Sequence, residues 1–237
     1  VGLSHHIWIG DVRTYALAGR FWWGSRSALG LFVTSSSSGD IELRDTPGPP
    51  QGVFDAQFLA AGVAYGRHVG PVRVGASFKY LSEEIFSERA SGYAFDFGGQ
   101  SEVVDRAVSV GVAVRNVGRM SELNAEATEL PTTLRAGFEF RPLRILTVDD
   151  ESVVDVALAI DLAHLIPDQR TQYHLGLAAE ILDVLILRGG AITNDTVRQF
   201  TGGVGFRYEA FHFDYGFVTF ETGFGGPGHI LTLGYSW

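Results

Sequence analysis

Apolar and polar residues alternate with a period of two along most of this chain, and that period predicts strands. Val108, Val110, Val112 and Val114 alternate with Ser109, Gly111, Ala113 and Arg115. Leu134, Ala136, Phe138 and Phe140 alternate with Arg135, Gly137, Glu139 and Arg141. The same beat runs through Val154–Leu162, Phe200–Tyr208 and Phe211–Phe217, and the last stretch sets Leu231, Leu233, Tyr235 and Trp237 on one face. Fourteen strands are predicted, near 2–10, 12–21, 26–35, 54–66, 71–82, 88–98, 106–115, 132–141, 152–162, 171–181, 184–192, 198–208, 211–219 and 229–237. Most are about nine to twelve residues long, the length a tilted strand needs to cross a bilayer. Strands in soluble sandwiches are nearer five or six. A short helix within a loop is expected over 119–130.

The connections carry a second pattern. Even-to-odd links are short, as at Arg67–Gly70, Leu182–Asp183 and Glu209–Ala210; odd-to-even links are longer, as at Ser36–Gly52, Asn116–Pro131 and Phe220–Gly228. Outer-membrane barrels have short periplasmic turns and longer external loops. An even strand number then puts both termini on the short-turn side. Gly10–Asp11 is short and Pro142–Glu151 long against this trend, which leaves the count open by two. At Glu209–Ala210 a two-residue hairpin pairs Phe206 with Phe213 and Arg207 with His212, so turn and face pattern agree.

The period leaves two architectures open. In a soluble sandwich the bulky face is the core; in a membrane barrel it meets lipid and the polar face lines the lumen. Composition shifts the balance. Hydrophobic residues make up 46% and charged residues 19% of the 237, against roughly 25% charged in average soluble chains. The face opposite the bulky one is Gly, Ala, Ser and Thr with single charges, where a solvated surface is rich in Lys and Glu. Aromatics gather near strand ends, and Trp22, Trp23, Tyr80, Tyr208, Phe211, Tyr235 and Trp237 are candidate interfacial residues. No apolar run reaches the ~20 residues of a membrane helix, so a membrane crossing would need a closed barrel. The expectation is one all-β domain, 1–237: a transmembrane antiparallel barrel of about fourteen strands. The sequence starts at Val1 with no signal pattern, so an export signal or plug segment is expected to lie outside it. A secreted β-sandwich binding module is the soluble alternative.

Several segments resemble a known group. Gly75-Ala-Ser-Phe-Lys-Tyr80, Ala90-Ser-Gly-Tyr-Ala-Phe-Asp-Phe-Gly98 and Val112-Ala-Val-Arg-Asn-Val-Gly118 resemble the PorV/PorQ outer-membrane proteins of the FadL-like barrel superfamily. Glu129-Leu-Pro131, Leu134–Gly137, Ala179-Glu180, Leu187–Gly190 and Phe213–Gly216 continue the likeness, which runs from about residue 71 to the end. The resemblance implies a fourteen-stranded barrel in the bacterial outer membrane, in contact with its lipids. It implies one of two roles: a subunit or docking partner in an envelope assembly such as type IX protein secretion, or a channel for hydrophobic small molecules with a ligand in the lumen. FadL-like proteins carry an N-terminal hatch, and no segment before Val1 supplies one here.

Candidate chemistry is sparse. No Gly-x-Ser-x-Gly elbow occurs, and the glycines at 223, 225, 226 and 228 precede a strand, not a phosphate-binding helix. His5 and His6 are adjacent, so a strand sends them to opposite faces; His164, His174 and His212 fall on separate strands. Glu83 and Glu84 are expected in an external loop, as a solvated turn or a Ca²⁺ site. With no cysteine and a net charge of −9, neither thiolate metal sites nor nucleic acid is expected, and no cofactor is. The one constellation is the polar face itself. Arg135, Glu139, Asp155, Asp161 and Glu180 come from three consecutive predicted strands, and Arg207 and Asp214 extend the set. They are expected to form either a mutually neutralising network in the wall or a polar constriction in a conduit.

Overall fold

A computed structural model describes residues 1–44, 48–104, 107–123, 126–146, 153–221, 223 and 225–237. Fourteen long strands close into one antiparallel barrel. In chain order they are β1 Gly2–Ile7, β2 Arg13–Trp23, β3 Ser27–Leu43, β4 Gly52–Val69, β5 Val72–Ile85, β6 Glu88–Val104 and β7 Val108–Met120. They continue as β8 Thr133–Phe140, β9 Val154–Leu165, β10 Arg170–Ile181, β11 Leu185–Thr193, β12 Arg198–Tyr208, β13 Phe211–Phe220 and β14 Gly228–Tyr235. Each strand pairs with its neighbours in sequence, and β1 closes the wall against β14, from Gly2↔Gly234 to Ile7↔His229. Closure removes every sheet edge, which is what lets strands stand in a medium without hydrogen-bonding solvent.

The alternation settles the faces. Leu158, Ile160 and Leu162 point outward and are each more than 40% exposed, while Ala157 and Ala163 on the other face are buried. The same holds around the barrel, with Phe138, Leu175, Leu177, Phe206, Phe213 and Leu233 on the outside. The buried set is mostly small or polar, with Ala90, Ala94, Ala107, Thr14, Lys79, Glu83 and Gln172 beside the aliphatic Ile186 and Val218. Exposure is therefore inverted relative to a globular core, and small and polar side chains line the interior.

Both termini and the Glu209–Ala210 turn lie at one end of the barrel. That hairpin pairs Phe206 with Phe213 and Arg207 with His212, as turn and pattern predict. The far end departs from expectation in three places. The stretch expected as the Ser36–Gly52 loop carries the β3–β4 ladder on to Leu43↔Gly52, with a register shift between Ser38 and Ile41, because strand preference depends on context and consecutive serines pair when the partner strand runs on beside them. Residues 45–47 lie outside the described set. The expected helix over 119–130 is instead a strand end at Met120 and a two-residue ribbon, Glu122–Leu123 against Glu126–Ala127. Gly10 and Asp11 take positive φ of 66° and 56° in a tight bend, so β1 stops at Ile7 instead of running to Gly10. The long Pro142–Glu151 link opens with one helical turn, Leu143–Leu146, and its residues 147–151 are outside the described set.

Strands β3 to β6 hold 17, 18, 14 and 17 residues, against 6 to 13 elsewhere. Their extra length lies at the far end, so the β3–β4 hairpin rises above its neighbours there: β2 reaches only to Ser37 of β3.

Candidate functional site

The candidate lumen charges do face inward, but they separate into discrete clusters set by strand register. Arg135 on β8 meets Asp161 on β9 at 3.1 Å, over the bare backbone of Gly137. Glu139 and Asp155 are joined through Arg141, at 2.8 and 2.7 Å, and Arg144 adds a second cation to Asp155 at 2.7 Å. Glu180 pairs with Arg207, and Asp214 with Arg188 at 2.5 Å. The single constellation expected on three strands is thus several clusters on six, because each side chain meets only the partners that register brings level with it: on the adjacent strand for Arg135–Asp161, and across one intervening strand for Glu180–Arg207 and Arg188–Asp214. Arg141, Arg144 and Arg188 complete these clusters. Arg188 was legible from its place between Leu187 and Gly189, and Arg141 from its place in the Arg135, Gly137, Glu139, Arg141 alternation; Arg144 lies in the helical turn past β8, where the period no longer reports direction.

A further cluster fixes the β5–β7 wall. Asp96 accepts from Lys79 Nζ, Ser77 Oγ and the Asn116 backbone N–H, each at 2.8 Å. Lys79 also donates to Asn116 Oδ1. Asn116 takes a positive φ of 59° in a bulge where the β6–β7 register slips between Phe95 and Phe97. Its carbonyl accepts from Thr132 Oγ1 at 2.9 Å and its Nδ2 donates to the Pro131 carbonyl at 3.1 Å. A bulge adds one residue to one strand and re-aims the side chains beside it. Here the extra residue lets Val117 return to the outer face while Arg115 stays on the lumen side.

The lumen is not filled. A cavity of about 740 Å³ is bounded by β2 to β9. Its wall is rich in Gly and Ala, including Gly30, Ala64, Gly75, Gly98 and Ala113, and its polar groups include Arg20, Arg73, Arg115, Arg135, Asp96 and Asp161. A second space of about 470 Å³ adjoins it through Arg73, Gln100 and Asp161 and reaches Arg141 and Arg144. At Gly189-Gly190 and Gly202-Gly203 the β11–β12 register runs unbroken through Gly189↔Gly202 and Gly190↔Thr201, while on the other side of β12 the register to β13 shifts between Arg198 and Thr201.

Tyr208, Phe211, Tyr235 and Trp237 lie on the outer face at the termini end, where Phe211–Tyr235 and Tyr235–Trp237 are ring neighbours at 5.0 and 6.1 Å. Trp23 is on the same face as Phe21, which touches Trp237. Trp22 is not: adjacent strand residues face opposite sides, and Trp22 shares the lumen side with Arg20, whose guanidinium stacks on its ring at 4.8 Å. Tyr80 faces outward but sits inside β5, opposite Tyr93, and not at a strand end. Glu83 is another correction. It is a buried residue of β5 that accepts from Thr128 Oγ1 at 2.7 Å, while Glu84 pairs with Arg89 across the β5–β6 hairpin. Neither stands in an open loop.

At the far rim, Asp195 in the β11–β12 link accepts from the backbone N–H of Val197 and Arg198, both at 2.9 Å, and from the Arg198 guanidinium and Gln172. Burial pushes its carboxyl up, but these hydrogen bonds outweigh that and hold it below the ordinary carboxylate range.

No protein-family model and no curated protein matches this chain in sequence. Solved structures do match in fold. The chain is similar to KdgM porin, with a TM-score of 0.49 at 9% identity over 100% of this chain and 98% of that one. It is similar to the Ralstonia pickettii toluene transporter TbuX, with a TM-score of 0.60 at 13% identity over 100% of this chain and 88% of that one. At that identity the TbuX likeness is one of fold, and the fold shared is a closed antiparallel β-barrel.

Proposed function

We propose that this chain is a non-enzymatic β-barrel of the bacterial outer membrane whose lumen is a conduit for small molecules. The observation that carries the reading is the inverted exposure around a hollow interior. Large apolar side chains cover the outside, and charged pairs and small residues surround a cavity of about 740 Å³. Soluble monomers rarely expose a contiguous apolar patch above a few hundred Å². A β-sandwich would bury this face between two sheets, and here it surrounds a single closed wall. The fold is shared with a toluene transporter, which fits the FadL-like reading of passage for hydrophobic compounds. The apolar methylene and backbone surface of the Gly/Ala wall suits such a ligand, and the lumen charges suit a polar end. The test is reconstitution. Purified barrel in liposomes is expected to raise the flux of small solutes above that of empty vesicles. Flux equal to empty vesicles, or a protein that stays soluble and monodisperse without detergent, overturns the reading.

The second reading is a subunit or docking partner of an envelope assembly, as in type IX secretion. It is favoured by the segments that resemble the PorV type: Gly75–Tyr80 and Ala90–Gly98 face one another in β5 and β6. Those strands belong to the tall part of the wall, whose β3–β4 hairpin offers protein contacts above the bilayer. Native extraction in mild detergent is expected to bring a stoichiometric protein partner under this reading; a barrel that purifies alone rejects it.

A further inference from the structure

Charge in the cavity of about 740 Å³ does not balance. Among its lining groups Arg135 holds Asp161 at 3.1 Å, and Arg73 holds Glu102 at 2.9 Å. Asp96 is held by Lys79 at 2.8 Å. Arg115 and Arg20 form no ion pair among the described residues. Arg20 rests its guanidinium face on Trp22 at 4.8 Å, which leaves its N–H edge unused. The cavity and its immediate partners therefore set five cations against three carboxylates, inside a chain whose net charge is −9. Overall charge would make the molecule repel anions; the local arrangement does the reverse.

The placing of Arg115 is not incidental. It occupies the bulge beside Asn116, and that bulge is pinned from two sides, by Asp96 and Lys79 across the wall and by Pro131 and Thr132 from the following segment. A part-buried ion pair is spent on holding an irregular backbone, and what the irregularity presents to the cavity is one uncompensated guanidinium. Bulges commonly aim a side chain at a site in this way. Guanidinium is a planar fork of N–H donors that matches a carboxylate in two parallel hydrogen bonds. The cavity it shares with Arg20 is walled in part by Gly30, Ala64, Gly75 and Gly98, which offer flat backbone and methyl surface, and the two acids in that wall, Asp96 and Asp161, are already held by Lys79 and Arg135.

We propose that Arg115, with Arg20, forms a lumen site for a small carboxylate. The inference deepens the conduit reading and rests on it for one consequence, that passage through the barrel favours anions. Succinate is the probe and neutral succinamide its control. Calorimetric titration of the folded barrel in detergent is expected to show saturable succinate binding that salt weakens, with none for succinamide. Arg115→Gln, with heat-modifiable gel mobility unchanged, is expected to weaken it roughly ten- to a hundredfold, the loss of one charge-assisted contact. Arg115→Lys keeps the charge without the fork and is expected to fall between the two. In bilayers under a KCl gradient, the reversal potential of the wild type is expected to show anion preference, reduced in Arg115→Gln. Succinate binding that is absent, that succinamide matches, or that Arg115→Gln leaves unchanged overturns the site. Conductance without Arg115-dependent binding sinks the site and leaves the conduit standing. Arg115-dependent binding without conductance sinks the conduit and keeps the site.

Discussion

Single residues in this barrel matter most where they are inside it. Lys79 and Asp96 have side chains only 10% and 22% exposed, and each completes the other's hydrogen bonding. Removing one partner strands a desolvated charge, whereas removing both takes away cost and gain together. Asp96→Asn is expected to lower stability by about 3 kcal/mol, read as a fall in the urea midpoint of the detergent-folded barrel. The Lys79→Met, Asp96→Leu double variant is expected to recover much of that. An additive loss in the double variant defeats the argument. Asp195 makes a different prediction, because its partners are rim backbone amides. Its carboxyl sits below the usual carboxylate range in the folded state, so its contribution is full above that range. The contribution is lost as pH falls through the lowered folded value. Amide protection of Val197 and Arg198 is therefore expected to hold at neutral and mildly acidic pH and to drop in strong acid. In Asp195→Ala it is expected to be low throughout. Protection that does not differ between the two proteins contradicts the assignment.

At the scale of elements, the register decides which side chains are allowed. Gly118 on β7 lies against the Tyr93 carbonyl and Ala94 Cα of β6, so a Cβ there meets backbone and not a movable side chain. Gly118→Ala is expected to force β6 and β7 apart and cost about 1–3 kcal/mol, the usual range for overpacking. Gly189 on β11 has open space at the same test, and Gly189→Ala is expected to be nearly neutral. Equal thermal midpoints for the two variants would show that the close approach at Gly118 is not fixed by the ladder. Much of this scale was legible in the chain. Alternation located fourteen strands, and the Glu209–Ala210 turn set its own register because a two-residue link allows one pairing. What escaped was wherever partners, not local pattern, decide. Ser36 to Ser38 read as a loop and are ladder, since β4 runs on beside them. Trp22 read as an interfacial partner of Trp23 and faces the other side, an error that period two itself corrects. The lumen charges were legible as a face, but Arg135 with Asp161 on the next strand and Arg207 with Glu180 across β11 became pairs only once strand order and register were known.

For the whole molecule, the question is what surrounds the apolar face, and neighbouring residues of one strand can answer it. Ile160 lies within β9, points outward and is half exposed. Ala159, one residue before it, points inward and lines the lumen spaces beside Glu139. An arginine at each position has the same helix-free backbone, the same strand and the same charge, and differs only in which side of the wall it faces. If the outside is lipid, Ile160→Arg carries a charge into the bilayer at a cost of about 2–4 kcal/mol near the midplane, and less toward either interface. Ala159→Arg instead enters a hydrated space that already holds paired charges, where the cost is steric and small. The expected result in lipid vesicles is a barrel that folds with Ala159→Arg and folds poorly with Ile160→Arg, with the gap narrowing in detergent, whose micelle deforms around a charge more readily than a bilayer does. If the outside were water, the order would reverse: Ile160→Arg would be harmless and soluble, and Ala159→Arg would be the residue pressed into an interior. The same pair of variants thus tests the direction of the barrel's inversion, on which the lipid-facing girdle, the conduit and the anion site in the lumen all depend.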